Sequence, residues 1–190
     1  MSLKVIKEAK ASGATGSVAS ISKADKLEAI AIMYKTVKNT TPDYEAMEEE
    51  LNTYDVELPE EMDIPDISKI NKLYAIAQSF LTRASTIERT AINNQTSWQR
   101  LVKFMEAYIQ DKEAELLVTD ELKELKTKMQ DAELRNKLAK EHERLGVLND
   151  KLLQANGFVR VVQNKVTDLK SILTNLNRQA RTLENDRKGV

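Results

Sequence analysis

A seven-residue repeat of apolar residues runs through the C-terminal part of the chain. Counted in sevens, its first positions are Leu138, Leu145, Leu152, Val159, Val166, Leu173 and Ala180. The positions three residues further on are Glu141, Leu148, Ala155, Val162, Leu169, Leu176 and Leu183, so only Glu141 interrupts the stripe. If the repeat is lettered a to g, the first set occupies position a and the second set occupies position d. Positions a and d form the seam of a coiled coil. The pattern predicts a long helix packed lengthwise against a partner helix.

A second stripe of the same kind follows Asp66, which is placed to cap a helix. Its members alternate steps of three and four residues: Ile70, Leu73, Ala77, Phe80, Ala84, Ile87, Ala91, Asn94, Trp98, Leu101, Met105 and Tyr108. The alanines allow a partner helix to approach closely, and we expect the lone amide Asn94 to set the register of the pair. We expect Trp98 to be a core residue rather than a platform for bases. Two matched seams predict an antiparallel pair.

The connection between the two stripes is less regular. Thr119 or Asp120 can cap a new helix, which predicts a turn near residues 118–120. The apolar phase then slips between Ala132 and Leu134, which predicts a break, kink or stutter around residues 130–133. Beyond it the phase is unchanged across Gly146 and Gly157, so we favour one continuous helix there over a hairpin.

Short helical patterns precede the long ones. Leu27, Ile30, Tyr34 and Val37 fall at helical spacing after Ser22, and Tyr44, Met47 and Leu51 follow Thr41-Pro42, which resembles a helix cap. Eleven acids and no Lys or Arg lie from Asp43 to Asp66, so these helices are poorly suited to reading DNA as a helix-turn-helix. Pro59 and Pro65 bracket an extended connector.

The predicted fold class is therefore all-α, a long antiparallel helical hairpin or coiled coil with a small N-terminal helical segment. Residues 1–21, which contain the small-residue stretch 11–20, are expected to be a flexible tail. Residues 22–58 form the small helical segment with its acidic arm, and residues 66–188 form the hairpin.

Composition offers little for catalysis. The chain has one histidine, no cysteine, and 29 Lys and Arg against 30 Asp and Glu. His142 lies between two glutamates, as expected of a solvated helix surface, and no phosphate-binding glycine loop or metal-binding Glu-x-x-His pair occurs. We expect no enzyme, no cofactor, no metal and no membrane partner. The absence of cysteine and of a long apolar run favours the cytoplasm.

The best functional candidate is the basic C-terminal region. The last 35 residues carry seven Lys and Arg against three acids. These candidate nucleic-acid-binding residues are Arg160, Lys165, Lys170, Arg178, Arg181, Arg187 and Lys188. Arg160 and Arg181 fall at b and Arg178 at f, which point away from the seam and are available to phosphate. The alternative is an ordinary solvated helix face.

The order of features resembles a group of small helical proteins of tailed phages, some of which are similar to the UvsY-type recombination mediators. The resemblance covers residues 63–187 and is carried by Asp63-Ile64-Pro65-Asp66, Trp98, Tyr108, residues 111–116, residues 132–138 and the ending Leu176-Asn177-Arg178-Gln179-Ala180-Arg181. It implies a helical oligomer in the host cytoplasm that binds single-stranded DNA and helps to load a recombinase.

A structural role is the rival hypothesis. A scaffold or adaptor coiled coil of a phage particle would pair acidic and basic segments between subunits and would not bind DNA. Both hypotheses predict a homo-oligomer, because a single partner helix of about 50 residues cannot cover so long an apolar seam. The seam residues expected to hold the oligomer or the fold are Leu152, Val159, Val162, Val166, Leu169, Leu173, Leu176 and Leu183.

Overall fold

The computed structural model describes residues 23–58, 66–121 and 128–188, and every regular element in these ranges is an α-helix. The helices are α1 (Lys23–Thr40), α2 (Tyr44–Asn52), α3 (Ile67–Glu121) and α4 (Lys128–Lys188). The all-α prediction is confirmed. The predicted N-terminal tail, the cap at Ser22 and the connector between the two prolines lie outside the described residues.

Helices α3 and α4 form the predicted antiparallel hairpin. The side chain of Gln95 in α3 contacts Asn156 in α4, and Glu113, further along α3, contacts His142, which lies earlier in α4. Every member of the predicted α3 stripe is buried or half-buried, and so are the eight predicted seam residues of α4. The repeat therefore identified the buried face of both long helices.

The two short helices lie along the hairpin as a third layer. α1 packs its apolar face on the half of the hairpin that contains Trp98, Leu101 and Leu148. α2 and the residues after it, chiefly Leu51 and Tyr54, pack on the other half, between the start of α3 and the end of α4. Seam surface that two helices alone would leave in water is thus covered within the chain. The burial of these seam residues inside one chain means that self-association requires another surface.

The predicted turn near residues 118–120 is wrong in position. α3 continues to Glu121, so Thr119 and Asp120 belong to its last turn and do not begin a new helix. α4 is uninterrupted from Lys128, so of the break, kink or stutter predicted at residues 130–133 the break does not occur. Leu134 and Leu138 lie on the buried face of this helix and are half-buried, whereas Ala132 is exposed. The continuous helix expected across both glycines is confirmed.

The start of α2 differs by two residues from the expected one. Asp43, and not Thr41, is the N-cap, because its carboxylate accepts hydrogen bonds from the backbone N–H groups of Glu45 and Ala46. The Thr41 hydroxyl instead donates to the Val37 carbonyl at the end of α1, at 2.8 Å. At α3 the expected cap is confirmed, since Asp66 accepts from the N–H of Ser68 at 3.3 Å.

The buried seam predicts a large difference between two isoleucines. Ile87→Ala removes a side chain that is 6% exposed, and we expect a loss of about 2–5 kcal/mol of unfolding free energy from lost transfer energy and a residual cavity. Ile32→Ala, at a side chain that is 60% exposed on α1, is the matched control and should change stability by less than about 0.5 kcal/mol. Urea denaturation followed by circular dichroism measures both. Equal losses would contradict this account of the core.

Candidate nucleic-acid interface

One side of the α3–α4 seam is occupied by the connection between α1 and α2. The Tyr44 ring stacks on Phe158 of α4, with centroids 4.6 Å apart. Its hydroxyl donates to Asn94 Oδ1 at 2.5 Å, and Asn94 Nδ2 donates to the Thr41 hydroxyl at 3.2 Å. Asn94 is thus buried and fully engaged with the short helices. The expectation that it sets the α3–α4 register is corrected: it fixes where the third layer docks.

A second anchor holds the end of α2. Tyr54 is 2% exposed, stacks on Phe80 with centroids 5.1 Å apart, and donates its hydroxyl hydrogen to the Glu50 carboxylate. Burial, followed by this bond to Glu50, raises the pKa of Tyr54 to about 12, although Arg83 acts in the opposite direction. Besides Glu50, the exposed acids of the segment are Asp43, Glu45, Glu48, Glu49, Asp55 and Glu57. They are therefore fixed on this side of the hairpin.

The opposite side of the seam is defined by an amide pair. Gln95 Nε2 donates to Asn156 Oδ1 at 2.7 Å, and both residues occupy position e of their repeats. Phe158, which contacts the third layer, occupies position g. In an antiparallel pair, e faces e on one side of the seam and g faces g on the other. Residues at e, and at b beside it, therefore face away from the acidic helix.

The basic stripe is the exposed run of α4 residues on that free side. Its members alternate b and e positions: Arg160, Gln163, Thr167, Lys170, Thr174, Asn177 and Arg181. Arg178, exposed beside them at position f, is counted with the stripe as its fourth cation. The stripe contains cations, amides and hydroxyls but no carboxylate. The Thr167 and Thr174 hydroxyls donate to backbone carbonyls one turn earlier, so the cations and amides are its outward donors.

The structure divides the seven predicted cations. Arg160, Lys170, Arg178 and Arg181 lie on or beside the stripe. Lys165 is half-buried at position g, between Phe158 and Ile172, and therefore lies on the side covered by the third layer. The side chains of Arg187 and Lys188 lie outside the described part of the structure.

Ion pairing differs between the two ends of the hairpin. Near the α3–α4 connection, Arg144 pairs with Glu141 at 2.9 Å, Lys137 with Glu133 at 2.7 Å, and Lys26 of α1 with Asp111. His142 lies at the surface, as expected, 3.1 Å from Glu113. None of the four cations of the basic stripe forms an ion pair with any described residue. Their charge is available to a partner outside the chain.

The neighbouring face of α3 adds uncharged polar groups, one aromatic ring and one half-buried carboxylate, Glu88, which lies at position e opposite Gln163 of the stripe. Asn71, Gln78 and Ser85 occupy position b and are exposed. Tyr74 occupies position e and is 40% exposed. Stepping three heptads along each helix from the Gln95–Asn156 pair places Tyr74 opposite Asn177 of the stripe. Exposed rings beside cations suit single-stranded nucleic acid, whose bases are free to stack. The apolar repeat identified only the seam residues of α3, so it did not indicate Tyr74.

Within ranges 23–58, 66–121 and 128–188 no cluster of three or more potential ligands is arranged to hold a metal ion. No helix in the same ranges is long and apolar enough to span a bilayer. No protein-family model, curated protein or solved structure matches the chain. The resemblance to UvsY-type mediators therefore stays a prediction, and the case for a function depends on the geometry of the basic stripe.

The Tyr54 anchor predicts how stability changes in alkaline solution. Above about pH 10 the unfolded chain loses the Tyr54 proton, whereas the folded protein retains it until about pH 12. Unfolding free energy should therefore fall as pH rises through this interval. Burial also raises the pKa of Tyr44 and Tyr108, which contribute in the same direction.

Tyr54→Phe should reduce the slope of unfolding free energy against pH by an amount equivalent to up to about one bound proton. Urea denaturation between pH 9 and about pH 12 measures this slope. The slope is the readout, because removal of the bond to Glu50 also lowers stability at every pH. Tyr74→Phe removes a hydroxyl from an exposed ring and is the control. An unchanged slope in Tyr54→Phe would show that this hydroxyl is not the buried group described here.

Proposed function

We propose that this protein binds single-stranded DNA along the basic stripe of α4 and acts as an accessory protein that helps to load a recombinase. The observation that carries the binding step is the set of exposed cations without ion pairs at Arg160, Lys170, Arg178 and Arg181. Such cations release counterions from phosphates without first giving up a bond inside the protein. This is the main source of sequence-independent affinity for nucleic acid.

The charge distribution supports a strand confined to one face. The acids of α2 are held on the far side of the seam by Tyr44 and Tyr54 and would repel phosphates there. On the stripe, Gln163 and Asn177 supply amide donors between the cations. Near-zero net charge is therefore compatible with DNA binding, because the α2 acids and the stripe cations lie on opposite sides of the hairpin.

A single strand fits this surface better than a duplex. The stripe runs along one straight helix and offers no element that projects into a groove, while Tyr74 beside it presents an exposed ring. Base stacking on such a ring tolerates any sequence. Loading of a recombinase would follow DNA binding. This step is implied by the resemblance of residues 63–187 to the small helical phage proteins.

The second candidate function is a structural adaptor or scaffold that binds no DNA. It is favoured by exposed apolar side chains on the hairpin, chiefly Phe104 at 55% and Leu153 at 69% exposure. The two functions differ in one observable. An adaptor self-assembles in a salt-sensitive way without affinity for oligonucleotides, whereas the proposed function requires that affinity.

The test replaces two stripe arginines together. Arg178→Ala with Arg181→Ala should weaken binding of unrelated single-stranded oligonucleotides about equally, because bonds to phosphates carry no sequence information. The slope of log K against log salt should fall by about 0.7 for each phosphate that the variant no longer neutralises. Fluorescence anisotropy over a salt series measures both quantities, and circular dichroism should show unchanged helicity because both side chains are outside the seam.

The matched control is Arg89→Ala with Arg100→Ala, two exposed arginines at the outer positions f and c of α3. This variant has the same change in net charge and should retain nearly all of the affinity. If both double variants weaken binding equally, net charge and not the stripe is responsible. If the unmodified protein binds no oligonucleotide at low salt, the DNA-binding function is wrong.

A further inference from the structure

The largest apolar exposure among the described side chains is on the outer face of α4. Leu153 is 69% exposed, and it belongs to a stripe that packs against nothing in the chain. The stripe consists of Gly146, Asp150, Leu153, Gly157 and Arg160, all exposed and spaced alternately by four and three residues. Residues with this spacing share one face of a helix. This outer face is separate from the seam that holds α3 and α4 together.

Gly157 has no role inside the chain. A Cβ at this position would meet no atom within 4 Å, so neither packing nor space requires a glycine. A glycine inside a helix costs about 0.5–1 kcal/mol relative to alanine. Its absent side chain leaves a shallow recess one helical turn from the exposed Leu153. A recess beside a projecting leucine is the geometry by which two helix surfaces interlock.

The outer face is self-complementary about Ala155. Leu153 and Gly157 are each two residues from this point, and Asp150 and Arg160 are each five residues from it. A second α4, placed antiparallel across a two-fold axis at Ala155, brings each Leu153 against Gly157 of the other copy. The same operation brings each Asp150 against Arg160 of the other copy. An interface of this kind uses one patch twice, as two-fold dimers do.

We infer that the protein forms a two-fold antiparallel dimer in which the α4 helices cross at Leu153 and Gly157, flanked by two Asp150–Arg160 ion pairs between copies. The two charged residues have no such partner within a chain. They are ten residues apart, about 15 Å along the helix axis, and neither forms an ion pair with any described residue.

The crossing engages Arg160 but leaves the C-terminal part of the basic stripe accessible, so that Lys170, Arg178 and Arg181 are the cations that remain for nucleic acid in the dimer. Packed helices commonly cross at about 50°, so they separate on either side of the contact point. Residues 167–181 of each copy then lie beyond the crossing, at opposite ends of the assembly. The dimer does not depend on DNA binding and is to be measured without nucleic acid.

The test is an exchange of charges across the axis. Asp150→Arg and Arg160→Asp, made singly, each place like charges opposite one another and should weaken dimerisation at least tenfold. The double variant Asp150→Arg with Arg160→Asp restores both pairs with reversed sign and should recover most of the affinity. Sedimentation equilibrium on the full chain, over concentrations from about 1 to 100 µM, measures the dissociation constant of each variant.

Recovery in the double variant is specific to the proposed arrangement, since the two residues cannot reach one another within one helix. The inference is overturned if the unmodified protein is a monomer throughout this range, or if its assembly is insensitive to the single changes. Failure of the double variant to recover would also overturn it, and would point to another surface or partner. Circular dichroism on each variant checks that the hairpin is folded.

A second variant separates the interface from helix stability. Gly157→Ala should raise the thermal stability of the hairpin, because alanine is the better helix former, while weakening the dimer by filling the recess. Higher stability with unchanged dimerisation would show that Gly157 does not accept Leu153. Leu153→Glu should abolish dimerisation and leave the fold intact, since the side chain contacts solvent in the single chain.

Discussion

The lengthwise contact between α3 and α4 determines what every other surface of this protein can do. Two antiparallel helices that bury their a and d positions have only two remaining flanks, one lined by g positions and one by e positions. Phe158 places α1 and α2 on the g flank, and Gln95 with Asn156 defines the other. This assignment applies to the half of the hairpin that contains residues 70–95 of α3 and 156–183 of α4; nearer the connection, Val102 and Ile109 at position e of α3 are buried. Packing of α1 and α2 on the g flank therefore determines that the e flank of α4 is the exposed one.

The polar contacts of the third layer then separate the charges. Tyr44 and Tyr54 bury their rings against the hairpin while their hydroxyls bond to Asn94 and Glu50, so α2 cannot rotate without losing both stacking and hydrogen bonds. The consequence is an acidic flank opposite a basic one in a chain of nearly zero net charge. The unpaired cations of the basic stripe on α4 therefore face away from the acids of α2, and this is the basis of the proposed function.

Sequence periodicity was sufficient for the seam, because burial of a and d positions is a direct consequence of the repeat. Periodicity did not predict which flank of the hairpin is exposed, since a heptad count does not show which flank a third element covers. For that reason Lys165 was grouped with Arg160, and Tyr74 was overlooked. Asn94 was assigned to the wrong contact because its partner, Tyr44, is 50 residues away in sequence. The slip in apolar phase near residue 132 does not end a helix, because a small alanine tolerates exposure.

The most direct test of the charge separation is to observe individual arginine side chains by NMR while a single-stranded oligonucleotide is added. Each guanidinium Nε–H gives its own signal, so the stripe and the rest of the hairpin report separately within one sample. The account predicts that Arg178 and Arg181 shift strongly, and that Arg89 and Arg100 on the outer side of α3 do not. Equal shifts at all four arginines, or shifts confined to α3, would contradict the assignment of the free flank.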